Sequence, residues 1–252
     1  MSMNESKAGS PRTEMESPST PPLPSMPGFD YPIAWEKLLW DNGQKTSWVL
    51  RPKDFEPLLD DPDVIRRNAQ DDYMPYWAQV WAGSFVLADL LASHSWPKRL
   101  AVLEIGCGLG LAGLAALSLG MNVDFTDYEP LAVDFALQSA LANGFKPNQF
   151  SGYVLDYRKP INRQYPLILG GEVLYEAVLV RSVCGLLQKM LATAGEAWLA
   201  DPYRRACDRL DEILAEFQLS CECRESSSLT NRGERVRGYV RVIKHLSNGI
   251  HE

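Results

Sequence analysis

Residues Val102 to Gly113, VLEIGCGLGLAG, run from an apolar segment through the alternating glycines Gly106, Gly108 and Gly110 into a helix-forming stretch. In an open parallel sheet, ligands bind beyond the carboxyl ends of the strands. There glycines let a bound group approach the backbone, and a helix N-terminus offers unpaired N–H groups. Nineteen residues after Gly108, closing the next apolar run, stands Asp127. An acid at that point is placed to accept hydrogen bonds from ribose hydroxyls. Glycines that merely make a tight turn are the plainer alternative, and the spaced acid argues against it. The pair implies a cofactor that carries a nucleoside.

Two cofactor classes share this arrangement. Gly108, Gly110 and Gly113 spell GxGxxG, a dinucleotide fingerprint, whereas Glu104, Gly106, Gly108 and Gly110 spell the ExGxGxG of S-adenosyl-L-methionine (SAM) binders. The apolar run ends at Ile105, so Gly106 is the natural first turn residue, and the GxGxxG register would push the strand into Cys107. A glutamate at the strand tip also suits the cationic amino end of SAM, while beside a pyrophosphate it would be repulsive. None of His94, His245 and His251 sits at a strand end to serve hydride transfer. SAM is the favoured cofactor.

At these residues the chain resembles the class I, seven-stranded SAM-dependent methyltransferases, and within them the protein-lysine methyltransferase-like group with its flavoprotein-modifying branch. The resemblance covers Tyr73 to Leu246 and is carried by YWAQVWAGSFVLADLL (Tyr76 to Leu91), a Trp-containing helix before the first strand; by VLEIGCGLG; by FTDYEP (Phe125 to Pro130); by LDY (Leu155 to Tyr157); by GEVLYE (Gly171 to Glu176); and by ADPYR (Ala200 to Arg204). It implies that Gly106, Cys107 and Gly108 line the methionyl part of the cofactor, with Glu104 and Gly110 completing the loop. Asp127 would hold the ribose, Asp156 and Tyr157 would flank the adenine, and Trp81 and Gly171 would close over the donor. Trp77 and Trp81, four apart, are expected to stack on one helix face, and Cys107 is expected to be a small loop residue, not a reactive thiol.

Glu172 and Tyr175 follow the fourth apolar run and are the candidate catalytic residues. A lysine amine, with an ordinary pKa of about 10.4, must lose its proton to attack a methyl group. A carboxylate can orient the amine and a tyrosine can fix it, although a carboxylate also favours the ammonium form. For Glu172 the structural alternative is a cap on the following helix. Asp201 and Arg204 would contact substrate or start a helix. The expected reaction is methyl transfer from SAM to an amine nitrogen, a lysine side chain of a protein, with a small-molecule N-methyltransferase as the alternative. A fold does not fix a substrate, so an NAD-binding oxidoreductase and a non-catalytic interaction module remain as readings from other classes.

These residues need elements to position them. The apolar runs LAVLEI (100–105), NVDFTD (122–127), SGYVLD (151–156), PLILGGEV (166–173) and EAWLAD (196–201) alternate with helical stretches. One helix is expected from Pro130 to Asn143-Gly144, another with Cys207, Leu210, Ile213, Leu214 and Phe217 on one face. The fold class is α/β: a doubly wound, mostly parallel, seven-stranded Rossmann-like sheet with helices on both faces. LSCECR and GYVRVIK, joined by a Ser- and Arg-rich loop, are expected as an antiparallel C-terminal hairpin at one edge. Residues 1–28, rich in proline and serine, read as a disordered tail; 29–72 as an N-terminal appendage packed on the main domain; and 73–252 as the methyltransferase domain.

The 252 residues are 46% hydrophobic and 23% charged, ordinary globular values that exclude collagen-like and wholly disordered classes. A net charge of −7 argues against dedicated nucleic-acid binding. The basic strip Arg224, Arg232, Arg235, Arg237, Arg241 and Lys244 reads as a solvated face or as a docking strip for an acidic protein partner. Five cysteines without CxxC spacing and three scattered histidines make no disulfide framework and no metal site. With neither a signal sequence nor a membrane span, a cytoplasmic protein is expected.

Overall fold

The computed structural model describes residues 19–174, 177–201, 210–231 and 233–246. The first elements are an antiparallel pair, β1 (Ile33–Trp40) and β2 (Lys45–Pro52), then the short α1 (Glu56–Leu59) and α2 (Pro62–Asp71). Asp61 caps α2, its side chain accepting from the amides of Asp63 and Val64. A single 3-10 turn, Tyr76–Ala78, precedes α3 (Ala82–Ala92). Within the segment expected as tail, the Trp35 indole donates to the Pro22 carbonyl at 3.1 Å and Met26 packs against the core.

Beyond α3 come β3 (Ala101–Ile105), α4 (Leu111–Ser118), β4 (Asn122–Asp127), α5 (Pro130–Ala142), β5 (Phe150–Val154) and β6 (Tyr165–Gly171). They are followed by α6 (Ala177–Met190), β7 (Leu191–Asp201), α7 (Leu210–Glu216), β8 (Leu219–Leu229) and β9 (Arg235–His245). The seven strands lie in the order β5-β4-β3-β6-β7-β9-β8, parallel except where β9 pairs antiparallel with β7 and β8. The order reverses between β3 and β6, the switch point where such sheets bind ligands.

Alternation along each strand splits the core into two layers. Val102, Phe125 and Trp198 pack with Leu87, Phe135, Trp40 and Leu50 on the α3–α5 side, while Leu103, Ile105 and Leu199 pack with Leu186 and Leu214 on the α6–α7 side. Local signals set several boundaries as the sequence predicts. α5 starts at Pro130 and ends at Asn143, with Gly144 at φ +80°. α7 buries Leu210 and Leu214, and the expected contribution of Cys207 lies outside the described residues.

Three expectations are corrected. The helix drawn over 76–91 begins only at Ala82: Trp81 is extended (φ −89°, ψ 155°), so Trp77 and Trp81 share no helix face. Pro75 and the isolated 3-10 turn break the earlier part. The Ser- and Arg-rich segment is not loop but strand, Ser227 pairing with Arg237 and Ser228 with Val236, so the turn shrinks to the residues between Leu229 and Arg235. Finally, the crossover from β5 to β6 carries no helix. On that side a polar network covers the sheet: the Asp124 carboxylate accepts from Tyr165 Oη at 2.7 Å and from Ser151 Oγ, and pairs with Arg163 at 2.7 Å. Tyr153 Oη lies 3.0 Å from Tyr165 Oη. Among the described residues no helix is long and apolar enough to cross a membrane.

Candidate active site

The loop after β3 is built on backbone that side chains disfavour. Gly106 and Gly108 stand at φ +56° and +50°, the left-handed region, and a Cβ on Gly106 would overlap the Tyr157 hydroxyl. The loop is tied down on both sides. Cys107 N donates to the Thr126 carbonyl at 2.9 Å, Gly110 N to the Cys107 carbonyl at 2.8 Å, and Gly108 N to Asp127 Oδ2 at 2.9 Å. β3 stops at Ile105 and Gly106 makes the first turn, the register of ExGxGxG and not of GxGxxG.

Asp127 closes β4 and spends one oxygen on Gly108, the other on Glu129 N at 2.9 Å. A carboxylate offers about four lone-pair sites, so acceptor capacity remains for a diol. Burial pushes its pKa up to about 6, against the pull of the Glu129 and Gly108 amides. Glu129 in turn is buried, accepts from Tyr73 Oη at 2.8 Å and pairs with Arg67 at 2.9 Å. A cavity of about 220 Å³, lined by Tyr31, Asp61, Arg67, Tyr73, Trp77 and Glu129, opens on this flank.

The Glu104 carboxylate is turned to the start of α4. It shares a strand face with Val102, is 2% exposed, and accepts from Gly113 N at 3.0 Å, holding the start of α4 from beneath. Burial raises its pKa to about 8, so at neutral pH it is an uncharged acid. In this structure the carboxyl group supports the loop. Cys107 is buried and its thiol is pushed up by burial, an unreactive loop residue.

Asp156 and Tyr157 part company. Asp156 is held by Arg158 (2.8 Å), which lowers its pKa, and Arg158 also lies 5.9 Å from the ring of Tyr128. Tyr157 instead reaches across to Gly106 and Val173 at the β3–β6 boundary. Tyr128, 51% exposed between the two acids, is an aromatic face that sequence reasoning passed over. Its position beside Asp127 was the available signal.

On the other side of the switch point, Gly171 ends β6 against Ser84, and Glu172 follows at φ +57°, 7% exposed. Its Oε1 accepts from Gly83 N at 3.0 Å, so it caps α3. Half-buried Trp81, just before α3, donates its indole N–H to the Tyr76 carbonyl at 2.7 Å. Tyr175 and Arg204 lie outside the described residues. Asp201 ends β7, 4% exposed, with Arg241 at 3.6 Å. No cluster of three or more metal-ligating side chains occurs among the described residues.

The glycine-rich loop, the half-buried acid with spare acceptor capacity and the exposed aromatic beside it fit a nucleoside-bearing donor. A family model described as lysine methyltransferase matches residues 67–210. Among curated relatives, the electron transfer flavoprotein beta subunit lysine methyltransferase of Xenopus laevis is 29% identical over 161 residues, covering 61% of this chain and 65% of its own. The histidine protein methyltransferase 1 homolog of Dictyostelium discoideum is 28% identical, covering 59% and 48%. A histone-arginine methyltransferase, METTL23 of Rattus norvegicus, is 29% identical, covering 64% and 76%. The chain thus spans less than two thirds of the first two relatives. Solved structures share the fold: one on conversion of a disulfide bond into a thioacetal group during echinomycin biosynthesis (TM-score 0.56, 16% identity, 73% and 93% coverage) and a candidate RNA methyltransferase from Pyrococcus horikoshii (TM-score 0.52, 14% identity, 66% and 83% coverage).

Proposed function

The chain belongs to the lysine methyltransferase family, and on that premise we propose that it moves a methyl group from SAM to the side-chain amine of a lysine in a protein. That it is a class I, SAM-dependent methyltransferase follows from the family itself. The match of residues 67–210 to the lysine family model carries the finer reading. The relatives' named acceptors, lysine, histidine and arginine side chains of proteins, support a protein substrate.

SAM, when bound, supplies a methyl group already activated on a sulfonium. The amine gives its proton to solvent before it attacks, and the chain's part is then to hold donor and acceptor in line, which is worth many orders of magnitude in rate. We assign the methionyl part to Gly106, Cys107, Gly108 and Gly110, with Glu104 supporting the loop, and the ribose to Asp127. Asp156 and Tyr128 face the adenine. Tyr157 takes a different place, as a wall between the loop and the acceptor side. Glu172 and Tyr175 are assigned to the acceptor side, and Trp81 and Gly171, expected to close over the donor, are assigned to its boundary with that side.

For an acidic partner, the described residues of the basic strip that are exposed and outside its ion pairs are Arg235, which donates to Ser227 Oγ at 3.2 Å, and Arg237; Arg232 lies outside the described residues. Arg224 is paired with Glu222, Lys244 with Glu196 and Arg241 with Asp201. Five cysteines without the spacing of a disulfide framework support a reducing, cytoplasmic location.

The test is methyl-labelled SAM with the protein and an extract from cells lacking it, the label then divided between precipitable protein and small molecules. Label in a few protein bands, located on lysine by mass spectrometry, is the expected outcome. Label confined to small molecules would overturn the protein reading, and label on histidine or arginine would overturn the lysine assignment.

A further inference from the structure

We infer that Glu172 is a positioning residue: its carboxylate clasps the first turn of α3, and through it Trp81, against the ends of β6 and β7, and takes no proton from the acceptor. The inference rests on the chain being a methyltransferase and is independent of which acceptor it uses.

Three observations converge on the clasp. α3 opens with no side-chain cap of its own, since Trp81 at its N-cap makes no capping bond. The first amides of a helix lack intrahelical partners, and a negative charge beside them is favourable. Glu172, 89 residues away in the chain, fills that place, with Oε1 3.0 Å from Gly83 N. At the same time Glu172 N donates to the Ala200 carbonyl at 2.7 Å, so one residue joins α3, β6 and β7.

The packing around it leaves no slack. A Cβ on Gly83 would stand 3.0 Å from both the Ala200 oxygen and Glu172 Cγ, and one on Gly171 would stand 3.0 Å from Ser84 Oγ. Glycine at both places lets the helix seat directly on the strand ends. Glu172 itself is held at φ +57°, a backbone region that a residue with a side chain keeps only when its surroundings enforce it. An acid that is 7% exposed, with Oε1 committed to a helix amide, is arranged to hold an element in place. Trp81 stands at the junction, its indole turned onto Tyr76.

The experiment compares Glu172→Gln, Glu172→Ala and Gly83→Ala with the parent chain. It measures the initial rate of total label leaving methyl-labelled SAM, in protein and small molecules together, as kcat and KM for SAM. Glutamine keeps an oxygen for Gly83 N and loses only the charge, so Glu172→Gln is expected to lower kcat by about fivefold or less. Glu172→Ala and Gly83→Ala, which open the clasp from either side, are each expected to lower kcat by about a hundredfold, the usual consequence of misplacing a reacting group. KM for SAM should move little in all three. A fall of about 10²–10⁴-fold in Glu172→Gln, with melting temperature and KM for SAM unchanged, is the signature of a proton acceptor and would overturn the inference. So would full activity in Glu172→Ala. Because both label fractions are counted, failure of the protein-lysine reading leaves this comparison intact.

Discussion

Replacing Glu104 by Gln asks whether the acid beneath the glycine loop is held neutral. Burial, opposed by the Gly113 amide and reinforced by the charge of Asp127, pushes its pKa from 4.5 up to about 8. The folded chain therefore keeps a proton that the unfolded chain has already released over that interval. The stability this group contributes is fully present below pH 4.5 and is lost as the pH rises toward 8. At ~1.4 kcal/mol for each pH unit, the whole interval corresponds to about 5 kcal/mol, and about 3 kcal/mol of it is gone at neutrality. Glutamine also accepts from Gly113 N but does not titrate. The stability of Glu104→Gln relative to the parent should thus climb by about 3 to 4 kcal/mol between about pH 5 and pH 8, whatever the offset at the acid end. Urea unfolding across that range measures it, with titrations elsewhere in the chain cancelling in the difference. A difference that stays flat within about 0.5 kcal/mol would refute the reasoning and return Glu104 to the charged form.

Asp127 titrates in the opposite functional sense. Its ionised form is the better acceptor, so with a pKa of about 6 SAM affinity measured by calorimetry should fall roughly tenfold from about pH 7 to pH 5, and Asp127→Asn should bind weakly with no such slope. Gly106→Ala should abolish SAM binding, because φ +56° and the Tyr157 hydroxyl both exclude a Cβ; adding Tyr157→Ala should recover part of the lost melting temperature but not the binding. Tyr165→Phe removes a donor from the buried Asp124 carboxylate and should cost about 1–3 kcal/mol in thermal or urea unfolding while leaving SAM affinity unchanged.

What was legible in the sequence is what is local in the chain. The glycine loop could be read because a run of positive φ angles tolerates few other residues, and α5 because Pro130 and Asn143-Gly144 mark its ends within a turn of where they act. The direction of Glu104 was also there to read. Two residues after Val102 in a strand it must share that residue's buried face, and the pull of a cationic cofactor obscured this period-two argument. Trp81 was misplaced because the apolar pattern of 76–91 suits a helix throughout, whereas the chain makes a separate 3-10 turn after Pro75 and leaves Gln79 and Trp81 extended. The partner of Glu172 had no signal at all, since Gly83 is remote in sequence and is chosen by how closely α3 approaches β6.

That contrast divides the site into two halves with different vulnerabilities. The donor half is nearly continuous: its glycine loop and ribose acid lie between Glu104 and Glu129 and are tied across from β3 to β4, with Asp156 added from beyond β5. The acceptor half is assembled from residues 81–84, 171–172 and 200–201, joined by the bonds of Glu172 to Gly83 and Ala200. Loosening the second half leaves the glycine loop and Asp127 as they were, so substitutions there should separate transfer from cofactor affinity. A variant at Ser84 that slows label transfer while binding SAM as the parent does would fit this division. One that weakened SAM binding and transfer together would show that the halves share a single support.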